Sequence, residues 1–192
     1  MTPLKNIQRE DTTQRNYLND SELEELFKEA KNNKKYRHSK RNYLFVLLSY
    51  RHALRCLEAC RLKWSDIDFK NHTVFISRLK GSKATTHPLA KDELELLRWI
   101  KKEYESQVYI FSKTNGLPLA TTSIRKLFLQ YRESTKIEHL HHHCLKHTCC
   151  TKLAQQGWDI LQIQAYVGHT NIQNTLVYTK VISQDLGHWW ER

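Results

Sequence analysis

Residues 143–178 read HCLKHTCCTKLAQQGWDILQIQAYVGHTNIQNTLVY, and the way this stretch divides decides the architecture. His143 to Gln156 fits one helix, Gly157 follows as its C-cap, and Ile160 to Val167 makes a short helix that stops at Gly168. Cys149 and Cys150 fall where the first helix needs small buried residues, a usual place for free thiols. Tyr178 then closes the stretch, nine residues after His169.

Upstream, Thr122 to Arg132 fits another helix, and Thr114 to Pro118 carries Asn-Gly and a proline, the signature of a turn. Leu94, Leu97 and Ile100 recur at helical spacing between Asp92 and Tyr104. Before them, Thr73 to Leu79 is rich in β-branched and aromatic residues, Lys80 to Lys83 supplies a Gly-containing turn, and Ala84 to Leu89 returns as a second strand. Asn19 and Glu22 form a capping box ahead of Leu23, Leu26, Phe27 and Ala30. Lys31 to Arg41 reads as a basic loop, Tyr43 to Leu48 opens an apolar helix, and Arg51 to Leu62 carries a further one. The expected fold class is therefore α+β, mainly α-helical, with a small antiparallel sheet near Thr73 to Leu89. Residues 1–17 are expected to be a flexible basic lead-in and residues 18–192 a single domain.

Lys and Arg number 31 against 20 Asp and Glu, a formal charge of +11, which favours a polyanionic partner through counterion release. The longest apolar run, Tyr43 to Leu48, is far too short to span a bilayer, and no export signal opens the chain, so a cytoplasmic protein without a membrane partner is expected. Five cysteines are an odd count for a disulfide framework, so reduced thiols are expected. Cys144, Cys149 and Cys150 lie among His139, His141, His142, His143 and His147, but no second cluster completes a tetrahedral zinc set. No metal is expected.

Five strings stand out: Ala53-Leu54-Arg55-Cys56-Leu57-Glu58, Arg78-Leu79-Lys80-Gly81, His143-Cys144-Leu145-Lys146-His147-Thr148, Gly168-His169, and Tyr178. In this order they resemble the successive boxes of the tyrosine recombinase (phage integrase) family over about Leu18 to Lys180. Within that family, Arg78-Leu79-Lys80, Thr85-Thr86-His87-Pro88-Leu89 and the short length look most like the fimbrial phase-variation DNA invertases. The resemblance implies the recombinase catalytic-domain fold, with no separate core-binding domain. It also implies strand cleavage through a 3'-phosphotyrosyl bond without a metal or nucleotide cofactor.

Carried over by motif, Tyr178 is the nucleophile; its phenol has an ordinary pKa near ~10 and needs cationic neighbours or a proton acceptor. Arg55 would grip the phosphate oxygens with its planar fork, braced by Glu58 one turn later. Lys80 would protonate the departing 5'-oxygen, with Lys83 its nearest rival. His143 would assist proton transfer, although His141, His142 and His147 lie close by, and His169 would donate a hydrogen bond to the phosphate. Lys146 departs from the family, whose His-x-x-Arg motif has an arginine there. Lysine keeps the charge and loses the fork, and losing one oriented donor commonly costs on the order of 100 to 1,000 fold.

The implied partner is double-stranded DNA with paired recombination sites, on which the chain self-assembles, as a tetramer in the family pattern, with accessory DNA-bending proteins. The outcome would be inversion, or integration and excision, of a segment. Competing readings are a catalytically weakened DNA-binding regulator, a topoisomerase-like nicking protein and a helix-turn-helix repressor, the last leaving the spacing from Arg55 to Tyr178 unexplained. Leu186, Trp189 and Trp190 make the C-terminal segment too apolar to stand in water unpacked, which suggests docking on its own core or on a neighbouring subunit.

Overall fold

The computed structural model describes residues 15–32, 38–79, 81–104 and 108–178. Lys80, most of the N-terminal lead-in and the tryptophan-bearing C-terminal segment lie outside the described residues. From Arg15 the chain is tied down: Arg15 pairs with Glu22 at 2.7 Å, and the Leu18 N–H donates to Thr148 Oγ1 at 2.9 Å.

Helix α1 (Asp20–Asn32) starts at the expected capping box, the Asn19 N–H donating to Glu22 Oε2 and the Glu22 N–H to Asn19 Oδ1. Helix α2 (Ser39–Arg51) begins inside the expected basic loop, because its first turn tolerates Lys40 and Arg41 while Leu44 to Leu48 drive its burial. Those five residues are buried all round, and α2 packs against α1, α4 (Lys91–Glu103) and α6 (His142–Gln155). Each fully buried Leu or Phe of this kind contributes about 1.5–3 kcal/mol. Helix α5 (Thr121–Thr135) leans on α1 and buries Ile124, Leu127, Phe128 and Tyr131.

The expected helix over Arg51 to Leu62 needs correction. Ala53 adopts φ 49°, a left-handed conformation that ends α2, and only Cys56–Cys60 (α3) is helical. A buried alanine enters this region at a cost of about 1–2 kcal/mol, which the surrounding packing must outweigh. A short 3-10 turn follows at Trp64–Asp66.

The sheet is three-stranded and antiparallel in the order β1 (Ile67–Asp68), β2 (Thr73–Ile76), β3 (Thr85–Pro88). Val74 faces His87 across the ladder and Ile76 faces Thr85, with Val74 and Ile76 buried and Phe75 exposed. Strand β1 is two residues long, too short to show alternation, and has no counterpart in the sequence reading.

After α6, Gly157 takes φ 87°, and Asp159 caps α7 (Ile160–Val167) by accepting from the Leu161 and Gln162 N–H groups. Gly168 ends α7 at φ 70°, as expected. A one-turn helix α8 (Gln173–Leu176) then leads into Tyr178. Two apolar clusters result: a large one centred on α2, and a small one of Ala53, Cys149, Cys150, Ala154, Ile163, Val167 and Tyr178. Among the described residues no helix is long and apolar enough to cross a membrane.

Candidate active site

Arg55 is not in the body of a helix. It is the extended residue before α3, at φ −72° and ψ 153°, directly after the Ala53 turn. Its backbone N–H donates to Glu58 Oε2 at 2.8 Å, and its Nη1 donates to Glu58 Oε1 at 2.9 Å and to Ser82 Oγ at 3.1 Å. Among the described residues Nε and Nη2 make no bond, and the side chain is 29% exposed, so one edge of the fork is open to an anion.

Glu58, expected to brace Arg55, is more than a surface pair, because its carboxylate is wholly enclosed. It also accepts from Arg78 Nη1 at 3.2 Å and from the Leu79 N–H at 3.2 Å. Burial works against its charge, but the N–H bonds from Arg55 and Leu79 and the Arg78 charge win, holding its carboxyl below the usual range. One carboxylate thus fixes Arg55 and the base of the β2–β3 hairpin together.

Lys80 lies outside the described residues, but its neighbours are anchored: the Ser82 N–H donates to Leu79 O at 3.0 Å, and Thr170 Oγ1 donates to Gly81 O at 2.7 Å. Lys83, the rival, has an exposed side chain, while its N–H donates to Gly168 O at 2.8 Å. Gly168 is required at that contact. A Cβ there would lie 2.2 Å from Lys83 O, in a backbone conformation that L side chains rarely adopt.

On α6, His142 is a core residue, edge-on to Phe128 with Nε2 3.0 Å from Ser49 Oγ, and His141 caps the helix. His143 is exposed and meets the His147 ring edge-on at 4.6 Å. Lys146, one turn on from His142, is 2% exposed, and its Nζ has no hydrogen-bond partner among the described residues. Burial first, then the nearby Arg55 and Arg78 charges, push its ammonium down to about 8. The three N–H bonds of this buried ammonium are unused among the described residues.

His169 is buried, with Nδ1 3.0 Å from Thr175 Oγ1. Burial and the charges of Lys146, Arg55 and Arg78 lower it to about 4, so it is neutral at pH 7. Tyr178 is also buried, 4% exposed, and its hydroxyl lies 3.0 Å from His147 Nδ1. Burial in the small cluster, followed by the Cys150 and Cys149 thiols, pushes its phenol well above the usual tyrosine range. His147 is lowered to about 4, by burial and then by His143, His141 and Lys146.

The sequence reading offered His147 only as an alternative to His143; the structure pairs it with Tyr178. Arg78, Ser82 and Thr175 were not among the expected site residues. Arg78 did lie in a quoted string, while the other two carry no signal apart from their position beside Gly81 and Tyr178. Among the described residues all five cysteines are free, and no group of three or more His, Cys, Asp or Glu side chains is placed to hold a metal ion.

A family model described as "Phage integrase family" matches residues 16–184. The type 1 fimbriae regulatory protein FimB of Escherichia coli K12 is 36% identical over 189 residues, covering 95% of this chain and 92% of FimB. FimE of the same strain is 33% identical over 159 residues, covering 79% of this chain and 80% of FimE. The XerH site-specific recombinase, solved on its palindromic difH substrate in a post-cleavage complex, superposes with a TM-score of 0.78 at 25% identity, covering 92% of this chain. The match takes in 53% of XerH, so the chain spans about half that protein's length. With a family match running from the cap of α1 past Tyr178, and relatives matched over most of their own length, the chain belongs to the phage integrase family, the tyrosine recombinases.

Proposed function

We propose that this chain recombines DNA at specific sites, cutting and resealing strands through Tyr178. The phenolic oxygen attacks the scissile phosphorus and the bond to the 5'-oxygen breaks, leaving a 3'-phosphotyrosyl link and a free 5'-hydroxyl. Attack by another strand's 5'-hydroxyl reverses the step, and the covalent bond conserves the energy of the broken one. Arg55 and Lys146 hold the non-bridging oxygens, His169 donates a hydrogen bond to them, and Lys80 protonates the departing oxygen. His147 and His143 serve proton movement at Tyr178.

The observation that carries this reading is that Arg55 and the base of the hairpin share the Glu58 carboxylate, with Lys146 and His169 within electrostatic reach of Arg55 and Glu58 and the Lys146 ammonium without a partner among the described residues. A plain DNA-binding regulator has no use for a buried cation without a partner. Double-stranded DNA bearing paired sites is the proposed substrate, with assembly on it as a tetramer, help from bending proteins and a cytoplasmic setting. The likeness to FimB and FimE makes inversion of a segment that controls a neighbouring gene the favoured outcome. Lys146 in place of arginine makes this a slow member of its class.

The test is covalent capture. The protein is mixed with fragmented host DNA and denatured, and the DNA that stays attached is sequenced. The expected result is a shared sequence attached to wild type and none to Tyr178→Phe. Absence of any adduct from folded wild type and from Lys146→Arg would overturn the reading.

A further inference from the structure

Arg78 has no place in the chemistry above, yet it is the most heavily bonded side chain near it. Its guanidinium is wholly enclosed. Nε donates to Thr85 Oγ1 at 3.3 Å, Nη1 to Ala53 O at 3.1 Å and Glu58 Oε2 at 3.2 Å, and Nη2 to His52 O at 3.1 Å and Tyr166 O at 3.2 Å. Arginine has five N–H bonds, and all five are taken. Arg78 therefore has no donor left for DNA, and what it does must pass through the groups it holds.

Those groups lie just outside the reacting centre on three sides. His52 and Ala53 form the left-handed turn that aims Arg55. Thr85 begins β3 and so sets the returning arm of the hairpin. Tyr166 is in the last turn of α7, two residues before the Gly168 contact with Lys83 and three before His169. Glu58 is shared: its buried carboxylate is divided between Arg55 and Arg78.

We propose that Arg78 is a positioning residue for DNA cleavage, a five-point tie that holds the Arg55 turn, the lysine hairpin and the His169 loop in one register and keeps Glu58 from drawing Arg55 off the phosphate. The argument is one of charge and geometry. Without Arg78 the enclosed Glu58 carboxylate has Arg55 as its sole remaining guanidinium among the described residues. A buried carboxylate short of compensation is costly, so it pulls the Arg55 fork inward and away from the open edge. At the same time three carbonyls, those of His52, Ala53 and Tyr166, lose their shared donor. Lysine cannot replace the tie, because three donors on a flexible stem cannot reach five acceptors arranged around a plane.

The inference rests on the recombinase reading, so its test includes wild type as a control on a DNA fragment identified by covalent capture. DNA affinity, melting temperature and the single-turnover rate of adduct formation at saturating DNA are measured for wild type, Arg78→Lys, Glu58→Gln and Arg78→Met/Glu58→Gln. The double variant removes both buried charges, so it stays folded if the single change does not. Arg78→Lys is expected to keep DNA affinity within about threefold while the saturated rate falls on the order of 10 to 100 fold, as misplacement of a reacting group by about 1 Å does, and the double variant is expected to fall below Glu58→Gln alone, which removes the Arg55 brace without cutting the tie. An Arg78→Lys protein that cleaves as fast as wild type would overturn the proposal. So would losses of rate and affinity that track the fraction unfolded, since those are what a purely structural role gives. Wild type without an adduct would instead overturn the recombinase reading, and this inference with it.

Discussion

The Tyr178 hydroxyl lies 3.0 Å from Nδ1 of His147, one helical turn beyond His143. Both rings are partly or fully buried, so the bond is shielded from water and holds the phenol in a defined place. A double-mutant cycle with His147→Leu and Tyr178→Phe is expected to give a coupling of about 0.5–1.5 kcal/mol in thermal or denaturant unfolding. Additive effects would mean that the two side chains do not share a bond in solution.

Lys146 makes stability and cleavage run in opposite directions with pH. Its folded value of about 8 lies below the ordinary 10.5, so folding disfavours the ammonium, fully so below about 8. The penalty lifts as pH rises from about 8 to 10.5, and stability should increase over that window. The charge that Lys146 is proposed to offer the phosphate disappears as pH rises past about 8, so the second-order rate of adduct formation should fall. Lys146→Arg should abolish that fall, because arginine keeps its charge. Lys146→Met should raise stability at neutral pH on the order of 3 kcal/mol while slowing cleavage. A rate that is flat through pH 10 in wild type would contradict this account.

The Thr175 hydroxyl, 3.0 Å from Nδ1, is expected to set which nitrogen of His169 carries the proton. With His169 neutral, a Thr175 hydroxyl donating to Nδ1 puts the ring hydrogen on Nε2, where it can serve as a donor. Thr175→Val removes that preference, and cleavage at saturating DNA should drop roughly 5–30 fold, the equivalent of about 1–2 kcal/mol. The ring tautomer is readable from nitrogen chemical shifts, and an unchanged tautomer in the variant would refute the assignment.

Gly168→Ala should be severe for its size. The added methyl would meet Lys83 O at 2.2 Å, and the hairpin must retreat to admit it. A loss of more than about 1 kcal/mol of stability is expected, with a larger proportional loss of cleavage because the displaced segment carries Lys80. Gly81→Ala, with φ 84° but nothing within 4 Å, provides the contrast: backbone strain without the clash. Equal effects from the two would remove the clash as the cause.

How far the chain could be read in advance depended on how local each feature is. The Asn19–Glu22 box and the Gly168 stop are short-range devices, and both hold where expected. The sequence predicts helix through the Arg55 turn because the cause of that turn, a left-handed Ala53, leaves no mark on an alanine. Strand β1 has two residues and depends on pairing with β2 to exist. At the proposed site, Arg55, Glu58, Lys146, His169 and Tyr178 are singled out by a family pattern, whereas Arg78, Ser82 and Thr175 enter through contacts with residues distant in sequence or across a turn. That His147, one turn on from His143, meets the Tyr178 hydroxyl likewise depends on which face of α6 turns toward Tyr178.

The division of the interior into a large and a small cluster has a consequence for how the molecule breathes. His169 and Tyr178 are carried by α7, α8 and their links, which rest on the small cluster, not on the α2-centred core. A segment with so little buried area of its own opens at a lower free energy than the body it leans on. The amides of α7 should exchange with deuterated solvent ahead of those of α2, so the residues nearest the proposed break in DNA belong to a unit that can unfasten and refasten while the body of the protein stays folded.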